Sequence, residues 1–350
     1  MLKTKRAGWP RSWRENTWLS QLLQPLAWGY AGWLKQRQAS TKPQPSARPI
    51  VVVGNIVVGG TGKTLMLCWL IELCLRLGIK VGVVSRGYGG SFVDPQPVHL
   101  GSSAEQVGDE PLMLRQLGVP VVVAKRRILA VERLLHDHPE LDFILSDDGL
   151  QHYELPRDLE LCLFAGEPAL GNARMLPAGP LREPLSRLDQ VDWVICKSSI
   201  PKVLEPWQPM LMTLQAMPLK ALPNSLANPD MPPQMTDLVV AYCGIGQPES
   251  FFSLLQAQGW QFEPMALPDH GFLDHQQRQS LLGRTVLMTT KDAIKLRHET
   301  LLFDAWEVPV RAAFSPADTA RFMPTLLNLL SPSVAARVRS KDDQHDPRHA

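Results

Sequence analysis

Short apolar runs alternate along the chain with longer stretches in which apolar residues recur at helical spacing. The first pair is an apolar run at 50–54 and a helical stretch that ends at Gly78, joined by a glycine-rich segment. Further pairs follow, and the sequence predicts strands at 80–85, 119–124 and 141–146 and helices at 104–117 and 127–136. Strands and helices that alternate in this way are typical of a parallel sheet with right-handed crossovers. The pattern therefore predicts an α/β fold with a mostly parallel sheet flanked by helices.

The second half of the chain carries the same alternation less regularly. Apolar runs at 191–197, 235–243 and 285–290 predict strands, and a helix is predicted after Pro248. We expect these elements to form a second, smaller α/β lobe, with a ligand cleft between the two lobes.

Composition excludes several classes of protein. Of 350 residues, 45% are hydrophobic and 20% are charged, with a formal net charge of +2, so a disordered chain is excluded. The sequence has no run of 18 apolar residues, which excludes a polytopic membrane protein. Five scattered cysteines without C-x-x-C spacing argue against a disulfide framework and a structural zinc site. We expect neither a nucleic acid nor an obligate protein partner.

The N-terminal segment differs from this average. Its first 42 residues hold eight Lys or Arg against Glu15 alone, together with five of the ten tryptophans. Apolar residues between Leu19 and Leu34 recur at helical spacing. A cleaved signal peptide fits poorly because polar residues and Pro25 interrupt the region, and a spanning helix would be too short.

Two interpretations of this segment remain. It is either an interfacial amphipathic helix, attracted to an anionic bilayer by its basic residues and tryptophans, or a helix docked on the protein's own core. The tryptophan and arginine content favours membrane contact. We therefore predict a membrane-associating segment at 1–37, followed by a proline-rich linker at 38–49.

A glycine-rich loop joins the first predicted strand to the first predicted helix. A strand, a glycine loop and a helix N-terminus together form a phosphate-binding P-loop, in which backbone N–H groups point at phosphate oxygens. Lys63 would reach the β- and γ-phosphates, and the Thr64 hydroxyl would bind Mg²⁺. The common pattern has Gly where this chain has Val57, but three glycines and both chemical side chains remain. The predicted nucleotide-binding residues are Val57, Val58, Gly59, Gly60, Thr61, Gly62, Lys63 and Thr64.

Two aspartates follow the predicted strand at 141–146. Asp147 and Asp148 stand where a P-loop protein has the carboxylate that holds Mg²⁺. Adjacent side chains of an extended strand point in opposite directions, so we expect one of the pair to contact the metal and the other to support it. Other acid or base candidates would gain a role only by converging on the same phosphate site; they are Asp109, Glu110, His152, Asp269 and His270.

These motifs resemble those of the lipid A 4′-kinases, also called the tetraacyldisaccharide 4′-kinase family. The segments that carry the resemblance run from about Pro49 to Phe314 and read VVVGNIVVGGTGKT, SRGYGG, VGDEP, SDDGLQH, LPAGPLREP and PDHGF. Val57 belongs to that family's own form of the loop. The basic, Trp-rich N-terminus is also similar to the family's membrane-associating end.

The resemblance implies a kinase that uses ATP and Mg²⁺ at the cytoplasmic face of a Gram-negative inner membrane. Such an enzyme is a phosphotransferase that phosphorylates the 4′-hydroxyl of a tetraacylated glucosamine disaccharide 1-phosphate, forming lipid IVA. Asp109 would accept the hydroxyl proton, supported by His270, and Lys63 would also be catalytic. The implied metal-site residues are Thr64, Glu110, Asp147 and Asp148. The implied lipid-binding residues are Arg86, Tyr88, His152, Arg182 and Glu183.

The expected organisation joins both lines of argument. It comprises the membrane-associating segment 1–37, the linker 38–49, a P-loop kinase core at 50–185, a second α/β lobe at 186–335 and a charged tail at 336–350. The lipid substrate at the membrane surface and the anionic bilayer itself are the expected partners.

A P-loop switch ATPase or GTPase that acts on a membrane-bound protein partner is the alternative function. GTPases of this class usually carry D-x-x-G and N-K-x-D motifs. In this chain Ser146 stands three residues before Gly149, and Lys291-Asp292 lacks the intervening residue, so guanine recognition fits poorly. Hydrolysis indifferent to lipid would favour the switch, whereas ADP release that depends on the acceptor would favour a kinase.

Overall fold

The computed structural model describes residues 9–167, 169–269 and 271–342 and contains fourteen strands and twelve α-helices within those ranges. The strands are β1 (Ile50–Gly54), β2 (Val81–Ser85), β3 (Gln96–Pro97), β4 (Val121–Val123), β5 (Phe143–Asp147), β6 (Leu159–Phe164), β7 (Trp193–Lys197), β8 (Met210–Ala216), β9 (Lys220–Ala221), β10 (Leu238–Cys243), β11 (Gln261–Ala266), β12 (Thr285–Thr289), β13 (Asp304–Val308) and β14 (Val310–Ala313). The helices are α1 (Arg11–Arg14), α2 (Trp18–Leu22), α3 (Gln24–Ser40), α4 (Lys63–Leu77), α5 (Ala104–Val107), α6 (Asp109–Arg115), α7 (Arg127–Asp137), α8 (Pro248–Ala257), α9 (His275–Ser280), α10 (Thr290–Leu296), α11 (Pro316–Leu327) and α12 (Pro332–Asp342).

The larger sheet has nine strands in the order β14-β8-β7-β6-β1-β5-β2-β4-β3. Its seven central strands run parallel, and the edge strands β3 and β14 pair antiparallel with β4 and β8. Both faces of β1 are buried: Val51 and Val53 pack in the core that includes α4, while Ile50 and Val52 pack in the core that includes α7. A parallel sheet covered on both faces explains why its strands read as unbroken apolar runs. The predicted α/β fold with a mostly parallel sheet is confirmed.

The smaller sheet has five strands in the order β11-β10-β12-β13-β9. Strands β10 to β13 are parallel, and β9 pairs antiparallel with β13. The chain leaves the large sheet after β8 and returns to it as β14, which is separated from the end of β13 by one residue. We call the two parts the large-sheet lobe and the small-sheet lobe.

The division between the sheets differs from the predicted boundary at 185/186. Strands β7, β8 and β14 all belong to the large sheet, although the sequence placed them in the second lobe. Strand pairing depends on hydrogen bonds at the sheet edge and on burial, so strands that are far apart in sequence can pair in one sheet. The first residues of the predicted charged tail at 336–350 are part of the folded protein. Val338 is buried within α12, and Arg337 donates to the Gly78 carbonyl. Residues 343–350 lie outside the described residues.

The N-terminal helices α1 to α3 lie along one rim of the large-sheet lobe. The Trp13 indole donates to the Pro177 carbonyl at 3.0 Å, and the Tyr30 hydroxyl donates to the Arg182 carbonyl at 3.0 Å. Helix α3 extends to Ser40, three residues into the predicted linker. None of the described helices is long and apolar enough to cross a membrane.

Candidate active site

The predicted P-loop lies between β1 and α4 and lines a cavity of about 1100 Å³. Gly62 occupies the left-handed region at φ 91°, which allows the chain to turn directly into α4 at Lys63. The helix N-terminus therefore points at the cavity, where an anion is stabilised by the backbone N–H groups and the helix dipole. Among the predicted nucleotide-binding residues, the cavity is lined by Val57, Val58, Gly59, Gly60, Thr61 and Lys63.

Asn55 holds the P-loop in shape, a role that the sequence analysis missed. Its buried amide donates to the Gly59 carbonyl at 3.3 Å and to the Thr61 hydroxyl at 3.1 Å. These bonds join Gly59 and Thr61 through one side chain and reduce the number of conformations open to the glycine segment. The position of Asn55 immediately after β1 could have identified this role in the sequence, because a buried polar side chain at such a position must find hydrogen-bond partners.

Lys63 and Asp148 form the charged centre of the site. Lys63 Nζ lies 3.4 Å from Asp148 Oδ1, and Arg182 donates to the same carboxylate at 3.2 Å. Burial would raise the pKa of Asp148, but Lys63 and Arg182 outweigh it and hold that pKa below its ordinary value. Asp148 adopts φ 48°, an uncommon conformation for a residue other than glycine. Such local strain is found where the fold holds a side chain for function.

Asp147 is buried behind Asp148 at the end of β5. Its Oδ2 accepts from the Ser85 hydroxyl at 3.0 Å, whereas Oδ1 has no hydrogen-bond partner among the described residues. Burial, together with the carboxylates of Glu110 and Asp148, raises the pKa of Asp147 to about 7.

This arrangement fits a Mg²⁺ ion. A divalent cation would relieve both the orphan oxygen of Asp147 and the mutual repulsion of the carboxylates. The described residues contain no cluster of three or more His, Cys, Asp or Glu side chains placed to hold a metal by themselves. Mg²⁺ typically takes only one or two carboxylates and completes its shell with phosphate oxygens and water, so a site next to the P-loop does not require such a cluster.

Asp109 lies at the first position of α6, buried at the cavity wall. The single helix predicted at 104–117 is broken at Gly108, where the backbone adopts φ 87° and ψ 151°. A Cβ on Gly108 would lie 2.7 Å from the Tyr88 carbonyl oxygen, so only glycine fits here. The break places Asp109 at a helix N-terminus facing the cavity, and its Oδ1 accepts from the Glu110 N–H at 2.9 Å.

Glu110 faces the small-sheet lobe as well as the cavity. Its Oε1 lies 3.2 Å from Lys291 Nζ, and Lys291 also lies 3.6 Å from Asp269 Oδ1. Burial would lower the pKa of Lys291, but Glu110, Asp109 and Asp269 outweigh it and raise that pKa above its ordinary value. His270, the predicted helper of Asp109, lies outside the described residues.

Several residues predicted to bind the lipid line the same cavity. Arg86 follows β2, Tyr88 is exposed at the mouth, and His152 follows the aspartate pair. Burial and the nearby Arg127 lower the pKa of His152 to about 4, so its ring is neutral near pH 7. Arg127 itself was missed by the sequence analysis; its buried guanidinium donates to the Asp147 carbonyl at 3.0 Å and fixes the end of β5.

Arg182 and Glu183 separate in the structure. Arg182 lines the cavity because its N–H donates to the Ile56 carbonyl at 2.7 Å, which docks the proline-rich loop on the P-loop. Glu183 is 0% exposed and does not line the cavity. Its carboxylate accepts from the amides of Gln151 and Gln38 and pairs with Arg187. The expectation that Glu183 contacts the lipid directly is therefore corrected: it supports neighbouring side chains from within the core.

The N-terminal rim, residues 9–40, reaches the cavity too. Trp9 and Arg14 line it, and the Trp9 indole donates to the Val58 carbonyl at 2.8 Å. Several large apolar side chains of the rim are solvent-exposed, with Trp18 74% exposed and Trp28 67% exposed. Leu22, Leu26 and Trp33 are also exposed. The contacts of Trp9, Trp13 and Tyr30 dock part of the segment on the protein, and its membrane association stays a prediction.

Residues 19–330 match the family described as tetraacyldisaccharide-1-P 4′-kinase. This chain belongs to that family. Members from Dechloromonas aromatica and Pseudomonas fluorescens, both named tetraacyldisaccharide 4′-kinase, are similar over most of their length. The first is 40% identical over 87% of this chain and 94% of its own, and the second is 43% identical over 88% and 93%.

A solved structure supports the fold. The crystal structure of LpxK from Aquifex aeolicus, described as an apo form in complex with ATP, matches with a TM-score of 0.68 at 24% identity. The match covers 89% of this chain and 100% of the other. The family resemblance, the α/β fold and the tetraacyldisaccharide 4′-kinase activity predicted from the sequence are confirmed.

Proposed function

We propose that this kinase transfers the γ-phosphate of ATP to the 4′-hydroxyl of a tetraacylated glucosamine disaccharide 1-phosphate, with Asp109 as the base. The observation that carries this assignment is convergence. The P-loop lysine, an acidic pair at the end of β5 and the buried Asp109 come from three separate elements and line one cavity. Phosphoryl transfer requires positioning and charge neutralisation more than covalent chemistry, and these residue types supply both.

The P-loop and its neighbours would hold the nucleotide. Backbone N–H groups of the glycine segment and the start of α4 would bind the phosphate oxygens, and Lys63 would balance their charge. Mg²⁺, held near Thr64, Asp147 and Asp148, would supply further charge neutralisation on the phosphates. Lys63 pairs with Asp148 in this structure, so Asp148 keeps the ammonium group oriented toward the cavity.

Asp109 would act on the acceptor. Its carboxylate accepts the proton of the 4′-hydroxyl while the hydroxyl oxygen bonds to the γ-phosphorus and the bond from that phosphorus to ADP breaks. Arg86, Arg182 and the neutral His152 lie around the same cavity and provide donors for the sugar and phosphate oxygens of the headgroup. His270 would assist Asp109.

The N-terminal rim would bring this cavity to the substrate. A four-chain lipid stays in the bilayer, so the enzyme must bind there. The exposed side chains of Trp18, Leu22, Leu26 and Trp28 suit the interfacial region of a membrane, and basic residues on α3 would attract anionic headgroups. We therefore place the kinase at the cytoplasmic face of the inner membrane, where ATP is present.

ADP production in mixed micelles, with and without the tetraacyl disaccharide 1-phosphate, tests the assignment. We expect ADP release to depend on the lipid and phosphate to appear on the distal sugar, with Lys63→Ala as the blank. Hydrolysis of ATP at the same rate without lipid would contradict it and would favour a switch ATPase with a protein partner.

A further inference from the structure

Two lysines of α10 reach from the small-sheet lobe to the same oxygen of Asp109. Lys291 Nζ lies 3.8 Å from Asp109 Oδ2, and Lys295 Nζ lies 4.0 Å from it. Residues four apart on a helix share one face, so α10 presents both ammonium groups to α6 together. Neither lysine belongs to the P-loop, and the spacing of the KDAIK segment had no assigned role.

Lys295 is fixed by its own partners. Its side chain is 1% exposed, and Nζ donates to Asp292 Oδ1 at 3.0 Å and to the Gly271 carbonyl at 3.2 Å. Asp292, fully buried, in turn accepts from the Gly244 N–H at 3.0 Å and from the Thr289 hydroxyl at 2.6 Å. The lysine is therefore held in place by β10, β12 and the loop that follows Pro268.

Lys291 completes the contact across the cleft. It lies within 3.2 Å of Glu110 and 3.6 Å of Asp269, so it joins an acid of each lobe. Both oxygens of Asp109 thus have a neighbour: Oδ1 accepts a hydrogen bond from the Glu110 N–H, and Oδ2 lies within ion-pair distance of the two ammonium groups. Rotation of this carboxylate about its last bond would weaken these contacts.

Resting on the proposed role of Asp109 as the base, we propose that Lys291 and Lys295 are positioning residues that hold its carboxylate from the opposite lobe. The small-sheet lobe thereby takes part in the chemistry without touching the reacting atoms. A displacement of about 1 Å in such a group can reduce a rate by about 10²-fold.

The deciding variant is Lys291→Met, which keeps the length of the side chain and removes its charge. We expect kcat to fall by about 10- to 100-fold while KM for ATP stays within about twofold, because phosphate binding resides in the other lobe. Lys291→Arg should recover most of the loss, since it restores a positive charge on a side chain that is 17% exposed. Lys220→Met, an exposed lysine in β9, is the matched control and should keep wild-type kcat.

Wild-type kcat in Lys291→Met, or a lowered melting temperature with unchanged kcat, would overturn the proposal and leave only a structural link between lobes. A large rise in KM for ATP would also overturn it, because the lysine would then bind phosphate. Lys295→Met removes a contact of the buried Asp292, so its kcat is compared only after its folding has been checked by circular dichroism.

A double-mutant cycle separates this proposal from the role of Asp109. In an Asp109→Asn background, Lys291→Met should cause little further loss of kcat, because the group it positions has been disabled. An equal loss in both backgrounds would overturn the positioning role. Wild-type kcat in Asp109→Asn alone would instead remove Asp109 as the base, and absence of lipid-dependent transfer in the wild type would remove the proposed function.

Discussion

The floor of the cleft and the N-terminal rim differ in how far their side chains are exposed to solvent. On the floor, which comprises the P-loop, Asp109 and the aspartate pair, charged groups are buried or half-buried and are held by neighbours such as Ser85 and Arg182. On the rim, Trp9 and Tyr30 are hydrogen-bonded to active-site loops, whereas Trp18 and Trp28 are exposed.

This difference in exposure suits two different tasks, phosphoryl transfer on the floor and the proposed contact with lipid at the rim. A buried, hydrogen-bonded charge cluster excludes water and strengthens the interactions that stabilise a transferring phosphoryl group. An exposed aromatic face gains free energy only by meeting another apolar surface. Substitutions on the floor should therefore change kcat, whereas substitutions on the exposed face of the rim should change lipid encounter.

The largest expected effect is the loss of kcat in Asp109→Ala, a substitution on the floor of the cleft. We expect kcat to fall by about 10²- to 10⁴-fold, the usual contribution of a general base, while ATP affinity stays nearly intact. Lipid-dependent ADP release and equilibrium nucleotide binding are the two measurements. Activity comparable to the wild type would refute the assignment of Asp109 as the base.

Gly108→Ala should lower kcat indirectly, by displacing Asp109 at the start of α6. Its new Cβ would approach the Tyr88 carbonyl oxygen to 2.7 Å and would displace the start of α6. We expect kcat to fall by about 10²-fold. The matched control is Gly118→Ala, which has a similar φ of 89° but open space around the Cβ, so it should lower stability without lowering kcat. Equal kcat values in the two variants would contradict the steric argument.

On the rim, Trp18→Ser combined with Trp28→Ser should weaken binding to anionic vesicles by about tenfold or more, because two exposed apolar side chains no longer enter the interface. ATP affinity should not change. Vesicle sedimentation measures the effect at low and high salt, where the remaining basic attraction is screened. Leu302→Ser, an exposed substitution on the small-sheet lobe, is the control. Equal sedimentation of the two variants would contradict the role of Trp18 and Trp28 in membrane binding.

The smallest expected effect is a pH dependence of stability at Asp147. The pKa of this group is about 7 in the folded protein, above its ordinary value of 3.8, so the folded state favours the neutral acid. Its contribution to stability is full below pH 4 and is lost as pH rises to 7. Asp147→Asn should therefore show a shallower fall in melting temperature between pH 5 and 8, by about a few degrees.

Mg²⁺ with nucleotide sharpens the same test. A cation competes with the proton for the carboxylate, so it should raise the wild-type melting temperature more at pH 8 than at pH 5. Glu205→Gln, an exposed substitution in the 3₁₀ helix Lys202–Trp207, should keep wild-type behaviour. Identical pH slopes in Asp147→Asn and the wild type would contradict the effect of burial on this carboxyl.

Local patterns account for the parts of the site that could be predicted. Lys63 and the aspartate pair were identified because a strand, a loop and a helix N-terminus are contiguous in sequence and produce a phosphate site wherever they occur. Asn55 was marked only by its place immediately after a strand, and Arg127 was missed because it acts through a backbone carbonyl, which no spacing reveals.

The sequence by itself determined the α/β class and the P-loop, since each depends on residues within a few turns or strands. Tertiary structure alone decided that β14 rejoins the large sheet, that Glu183 is buried, and that Lys291 and Lys295 meet Asp109 about 180 residues away. Contacts of that kind depend on how lobes pack in three dimensions. Hydrophobic periodicity specifies which face of a helix is buried, but it does not specify which distant helix that face will meet.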